Sequence, residues 1–288
     1  LAVALGIQSA PSKAPAGLDT AVIDKAIGKP GQAMAGNVYR VSFPRSDLNV
    51  TVNGVTVKPG FALGSWAAFK ASGSGAVAHG DLVLLEPEIN PVISTLQQHG
   101  FEITALHNHL INESPKVMYM HFWGQGDAAT LAASLRDALS KTKTPVTAPA
   151  PAGADAAPAN DGLPADQIQE AIGLKGTVTN GVLGVSQPRP ETIQMMGVTL
   201  PPSMGMATSI NFQAAGPGKV AATGDFVMLA DEVNKVARAL RQHDIEITAL
   251  HNHMLHGSPD LYFMHFWAVG DATTVASGLK AALGQLKR

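Results

Sequence analysis

Apolar and polar positions along this chain alternate in short runs of period two, interrupted by longer runs of helical period, and the whole series occurs twice. Valine-rich alternation over 38–43, 49–52 and 55–57 predicts strands, and Asn53-Gly54 between the last two is a two-residue hairpin signal. Ser65–Phe69 and Ala76–Leu85 read as further strands, with Gly80-Asp81 marking a turn or bulge inside the second. Glu102–His109 and Val117–Trp123 follow as two strands around a loop that carries Asn112 and Ser114-Pro115.

Three stretches carry helical spacing instead. One has Thr20 as N-cap, Val22, Ile23, Ala26 and Ile27 as its apolar face, and Gly28 and Pro30 as its stop. A second starts at Pro87 or Pro91 and runs through Val92, Ile93 and Leu96 to His99, with Gly100 as the residue past its end. Asp127 caps the third, whose Leu131, Leu135, Ala138 and Leu139 share a face.

Past a Pro/Ala-rich stretch the pattern restarts. Ala171-Ile172-Gly173 repeats Ala26-Ile27-Gly28, and from Gly80 and Gly224 onward the two copies align without a gap at an offset of 144, with 32 identities in 60 positions. The expected organisation is an irregular N-terminus (1–18), a first repeat (19–140), a connector without apolar periodicity (141–162) and a second repeat (163–288). The fold class predicted is α+β: a tandem duplication of a mainly antiparallel sheet with flanking helices, arranged about a pseudo-two-fold axis.

Composition narrows the chemistry. The chain has 288 residues with a formal net charge of -2, so there is no basic surplus for a nucleic-acid backbone. No apolar run reaches the roughly 20 residues of a membrane-spanning helix. Cysteine is absent, which removes disulfides and thiolate metal sites and leaves histidine, carboxylate and methionine as ligands. The apolar start Leu1–Gly6, followed by small residues, reads as the trailing part of a secretory signal, and export is the expectation.

The chemistry-bearing string is Leu106-His107-Asn108-His109, followed by Met120-His121-Phe122-Trp123. It returns as Leu250-His251-Asn252-His253 and Met264-His265-Phe266-Trp267. Residues i and i+2 of a strand project to one face, which places His107 and His109 with Ile103 and Ala105, and Asn108 on the other side. An antiparallel partner presents Val117, Tyr119, His121 and Trp123 on one face, so three imidazoles converge. His107, His109 and His121, and again His251, His253 and His265, are therefore candidate metal ligands. Zinc is the leading ion, because neutral imidazoles with an open fourth position suit it, and copper is second.

The competing reading keeps the histidines as a hydrogen-bonded core cluster. The string His-Asn-His is not the nuclease motif of that name, which needs a ββα finger and a basic surface. Other recurrent residues read as structural: His99 and His243 at helix ends, Glu88 and Glu232 near helix starts, Asp127 and Asp271 as caps, and Arg45 and Arg189 at the surface or on an anion; Met118 and Met120 alternate away from His121 and read as core. His256 lies in the loop after His253, where it is a further candidate ligand of the second site, whereas Glu113 aligns with Gly257 and cannot serve both.

The block Ala105–His109, Ser114-Pro115, Met120–Trp123 and Gly126-Asp127 resembles the LppY/LpqO family of bacterial proteins, named after mycobacterial lipoproteins and classed as a domain of unknown function. The resemblance covers both repeats and implies a bacterial, exported protein, although no cysteine is present to carry a lipid. It brings no activity. From the residues, the reading is an exported metal-binding protein with one three-histidine site per repeat. The alternatives are a hydrolase using metal-bound water, or a cell-envelope or small-molecule binding module in which the histidines are structural and Arg45 and Arg189 or the aromatics contact the ligand.

Overall fold

The computed structural model describes residues 15–147 and 162–287; the apolar start and most of the Pro/Ala-rich connector lie outside them. In the first repeat the elements run α1 (Thr20–Ile27), β1 (Gln32–Met34), β2 (Val38–Pro44), β3 (Val50–Val52), β4 (Val55–Val57), α2 (Pro59–Ala62), β5 (Gly64–Ser72), β6 (Gly75–Leu85), α3 (Glu86–Gln98), β7 (Glu102–His107), β8 (Glu113–Ser114), β9 (Val117–Gly126) and α4 (Ala128–Leu139). The second repeat runs α5 (Ala165–Ile172), β10 (Gly176–Thr179), β11 (Val182–Pro188), β12 (Ile193–Met195), β13 (Val198–Leu200), β14 (Ala207–Ala214), β15 (Lys219–Met228), α6 (Ala230–Gln242), β16 (Glu246–His251), β17 (Gly257–Ser258), β18 (Tyr262–Asp271) and α7 (Ala272–Leu283). A 3-10 turn at Pro202–Met204 stands where the first repeat has α2.

Each repeat forms a six-stranded antiparallel sheet, in the order β1-β2-β5-β6-β9-β7 or β10-β11-β14-β15-β18-β16. A three-stranded sheet accompanies each, β4-β3-β8 and β13-β12-β17. The predicted α+β duplication is what is found. Alternation along the long strands sorts their side chains to two faces. On one face Phe69, Ala78, Leu82, Met120 and Phe122 pack under Leu131, Leu135 and Leu96 of the helices; Phe212, Ala222, Phe226, Met264 and Phe266 do the same in the second repeat.

The other faces meet each other. Trp66, Ala68, Val77 and Trp123 of the first repeat share a core with Met195, Leu200, Met204 and Phe263 of the second. Reciprocally, Val50, Val52, Phe61 and Tyr119 share one with Val182, Ala221 and Trp267. Helices lie outside, two sheets face inward, and each small sheet packs on the neighbouring repeat. At about 1.5–3 kcal/mol per large buried apolar side chain, these two shared cores tie the repeats together through burial. Side chains also cross: Gln213 accepts from the Lys58 backbone N–H at 3.0 Å and donates to the Thr56 carbonyl at 2.7 Å, and Asn211 donates to Phe61 at 2.9 Å.

Several local expectations are corrected. The N-cap of α1 is Asp19, one residue before Thr20, because its carboxylate reaches the Ala21 N–H at 3.0 Å. Gly80-Asp81 is neither turn nor bulge, since β6 pairs with β9 in unbroken register from Ala76↔Gly126 to Leu85↔Val117. Glycine is required at 80 and 224 for close approach: a Cβ there would overlap the carbonyl oxygen of Trp66 or Ser209 on the adjacent strand. The strand carrying the first histidine ends at His107, so His109 is placed by the following loop. A register shift between Ile103 and Ala105 turns Ile103 toward the helix-side core, away from the histidine face. The same shift recurs between Ile247 and Ala249.

Candidate metal centre

Register puts the third histidine of each repeat in the middle of its sheet, on the inward face, with an aspartate directly across from it. His121 pairs with Asp81 and with Ala105 on its two flanking strands; His265 pairs with Asp225 and Ala249. His107 and His251 end the edge strands β7 and β16 on that same face, opposite Tyr119 and Phe263. The loop then folds back so that His109 stacks on Tyr119 at 3.4 Å between ring centroids, and His253 on Phe263 at 3.6 Å. Asn108 points away from the rings and bonds the Thr248 carbonyl of the other repeat at 3.0 Å, while Thr248 Oγ1 donates to the His109 carbonyl. The loop is thus anchored by the neighbouring repeat.

Because the two inner faces oppose, the six histidines form one cluster. His107 stacks on His251 with centroids 3.6 Å apart, His109 on His265 at 3.7 Å, and His121 on His253 at 3.7 Å. The first pair joins equivalent residues, and the other two exchange with one another when the repeats are swapped. The pseudo-two-fold axis therefore runs between His107 and His251. Every one of the six predicted site residues is brought to this point.

Seven ring nitrogens of the cluster lack partners. His107 Nε2, His109 Nε2, both nitrogens of His121, and Nε2 of His251, His253 and His265 are buried without a hydrogen bond, as is Asp81 Oδ1. Each such group ordinarily costs about 1–3 kcal/mol when left unsatisfied. Three sets bring ligand atoms within 4.8 Å of one another: His107, His109 and His121; His107, His251, His253 and His265; and His109, Asp225 and His265. Tetrahedral donors about 2.0–2.1 Å from zinc lie roughly 3.3–3.4 Å apart, so a bound ion would need the rings to move inward.

The electrostatics favour neutral imidazole, which is the ligating form. Burial first, then the neighbouring His251 and His265, push His107 down to about 3; burial and His265 bring His251 to about 4. Burial and adjacent imidazoles hold His109, His121 and His253 well below the usual value. The two aspartates diverge. Burial and the charge of Asp225 raise Asp81 well above the ordinary carboxylate range. Burial is the largest influence on Asp225 and opposes its charge, but His265, with Nδ1 2.6 Å from Asp225 Oδ1, together with His251 and His107, holds it low. Asp81 Oδ2 stands 3.8 Å from His109 Nε2 and 3.9 Å from His121 Nε2.

Asp81 and Asp225 are candidate site residues that strand parity does not single out. They recur at the same offset of 144 as the histidines, within the repeated Gly-Asp pair, a pattern that equally predicts a turn. His79, present in one copy, adjoins the cluster: its Nδ1 is 3.0 Å from the Phe122 carbonyl and its ring is 5.9 Å from that of His121. Thr223 takes its place in the second repeat and donates to Phe266 at 2.8 Å.

Other candidates stay away from the centre. His256 is exposed in a left-handed turn with φ 53° and adds no ligand. Arg45 and Arg189 are not surface residues. The Arg45 guanidinium is fully buried and donates to Glu88 at 2.7 and 3.1 Å, Asp47 at 2.9 Å through two nitrogens, and the Val83 carbonyl at 2.7 Å. Arg189 repeats this with Glu232, Glu191 and Val227. With their donors spent, neither holds an external ligand. Asp127 and Asp271 do cap α4 and α7, each accepting a backbone N–H at 2.8 Å.

A cavity of about 480 Å³ opens beside the cluster, lined by both repeats. His109, His121, His253, Asp81 and Asp225 reach it, together with Arg40, Trp66, Ser186 and Ser209.

Fold and site together define a duplicated α+β protein whose repeats close on a shared histidine and aspartate cluster. The family described as Domain of Unknown Function (DUF1259) matches residues 21–141 and 166–285, one copy per repeat, and the chain belongs to that family. No curated protein matches in sequence. Among solved structures, a trimeric bacterial microcompartment shell protein, PduB, is 11% identical over 87% of each chain with a TM-score of 0.22. EtuB from Clostridium kluyveri is 8% identical over 88% of this chain and 87% of its own, with a TM-score of 0.20. At these scores neither likeness carries an argument.

Proposed function

We propose that this protein binds a divalent transition metal ion at a centre built jointly by its two repeats. The observation that carries the reading is the set of buried, unpartnered imidazole nitrogens of His107, His109, His121, His251, His253 and His265. Burial and adjacent imidazoles favour the neutral, ligating form of His107, His109, His121, His251 and His253, and a cation removes the cost of the unsatisfied nitrogens. The donors are imidazoles with Asp225 and Asp81 close by, a borderline-to-hard set that favours zinc, with copper second. Metal content of untagged protein tests this: bound zinc or copper that is lost in His107→Ala supports it, and metal-free protein that takes up neither ion refutes it.

The aspartates and the adjoining cavity favour a second reading, a metal-dependent hydrolase in which Asp81 or Asp225 accepts a proton from water while the bound ion supplies Lewis acidity. Chelator-sensitive turnover of ester, phosphate or amide substrates, abolished in Asp225→Asn, is its test. A binding module using Arg45 or Arg189 loses its basis, because both guanidinium groups are consumed internally. We also propose membership of the LppY/LpqO group and, with it, an exported bacterial protein. The strings His107-Asn108-His109 and His121-Phe122-Trp123 and their second copies support this, and fractionation of the source cells checks it. Among the described residues no helix is long and apolar enough to cross a membrane.

A further inference from the structure

Arg40 extends from β2 into the cavity beside the histidine cluster and is unlike the two other arginines of the sheet interior. Its guanidinium lies over the Trp66 ring at 4.1 Å and forms no hydrogen bond or ion pair with any side chain among the described residues. Arg45 and Arg189, by contrast, spend their donors on carboxylates and a carbonyl. A half-buried guanidinium with a planar fork of unspent donors, held in place by an aromatic face, is a ready anchor for an oxyanion. Through β2–β5 and β11–β14 register, Arg40 faces Ala68 and Gly184 faces Asn211, so the second repeat has glycine at this position. The anchor exists on one side of the pseudo-two-fold only.

Charge bookkeeping across the cavity points the same way. The charged groups that face it are Arg40, Asp81 and Asp225, a sum of minus one with both carboxylates ionised. A divalent ion on the histidines brings the sum to plus one. The wall is mixed: Phe61 and Trp66 give it an apolar side, while Ser186 and Ser209 give it hydroxyls. A volume of about 480 Å³ is that of a small-molecule site.

We infer that the cavity is the binding site of a small organic anion, a carboxylate or phosphate monoester. Arg40 holds its charged end, the apolar wall takes its carbon skeleton, and the metal centre lies within reach of it. This rests on the metal-centre reading and assigns that centre a ligand class.

The test is calorimetric titration of the zinc-loaded full-length protein, in a buffer free of carboxylate and phosphate, with butyrate, phenyl phosphate, inorganic phosphate and the neutral control butanol. Saturable binding of the organic anions and none of butanol is expected. Preference for butyrate or for phenyl phosphate separates the two sources of the charge. Arg40→Gln is expected to weaken anion binding by about 10- to 100-fold, the loss of a charge-assisted contact, with zinc affinity unchanged; Arg40→Lys, which keeps the charge but not the fork, falls between. Zinc-loaded protein that binds none of the anions, or an Arg40→Gln protein that binds them as well as the parent, overturns the inference while the metal reading stands. Anion binding that needs Arg40 but not zinc upholds the site and shows that the anion does not contact the metal centre.

Discussion

The two repeats bury the same three histidines and the same aspartate, yet they surround them differently. In the first, His121 has His79 beside it and Arg40 on the approach; in the second, His265 has Thr223 and Gly184 at those places. His109 stacks on a tyrosine and His253 on a phenylalanine. Asp225 is held ionised by His265 at 2.6 Å, whereas Asp81 stands 3.8–3.9 Å from its histidines and is pushed toward its protonated form. What stayed the same is what a symmetric cluster needs: ligand-type side chains and the glycine that lets strands approach. Of what diverged, Arg40, His79, Tyr119 and Thr223 line the cavity, so a symmetric cluster is given an asymmetric surrounding.

If the shared features are structural necessities of both copies, equivalent substitutions must have equal effects. The largest effect is expected at the buried ion clusters outside the site. Arg45→Ala strands Glu88 without its cation and should cost about 3–5 kcal/mol in urea unfolding, and Arg189→Ala the same. Very unequal losses would mean that one cluster is not as buried as its fellow.

Next comes the axis. His107→Ala and His251→Ala should each weaken metal binding more than about 100-fold, above the range for groups outside the ligand shell. The two should do so equally, since these rings stack on each other at 3.6 Å. Titration of metal into each variant checks this; loss at one with none at the other would make the sites separate, one to a repeat. Gly80→Ala and Gly224→Ala should each destabilise by about 1–3 kcal/mol, because a Cβ meets the carbonyl of the adjacent strand.

The smallest effect sharpens the difference between repeats. His79→Thr installs the second repeat's residue and should cost about 1–2 kcal/mol at pH 7, since a hydroxyl can replace the ring's bond to Phe122. In metal-free protein, burial lowers His79 to about 4, His107 to about 3 and His251 to about 4, from the usual 6.5. Between those values and 6.5 the unfolded chain binds protons that the folded chain does not, so stability is full above about pH 6.5 and falls as pH drops toward 4 and then 3. His79→Thr should flatten that fall by one group, measured as unfolding free energy against pH. A parent protein as stable at pH 4.5 as at pH 7 would show that the histidines are not buried as neutral rings.

Much of this was written in the sequence. Period-two runs, the Asn53-Gly54 hairpin, the Asp127 and Asp271 caps and the 144-residue repeat all report local geometry, and local geometry follows from neighbouring residues. That the histidines gather on one side was legible for the same reason, although His109 is placed by a loop and not by its strand. The role of Asp81 and Asp225 was not, because nothing local separates a Gly-Asp turn from a glycine admitted by a neighbouring strand. Likewise Arg45 looks like a surface cation until Glu88, 43 residues away, is folded against it.

By itself, then, the sequence determined that two α+β units each bring three histidines to one side of a sheet. Only the tertiary structure decided that those faces look at each other. Strand parity states which side of a sheet a residue occupies, but what lies opposite that side depends on burial summed over both repeats, in the cores where Trp66 and Trp123 meet Phe263, and Phe61 meets Trp267. That long-range packing turns two sets of three histidines into a single centre.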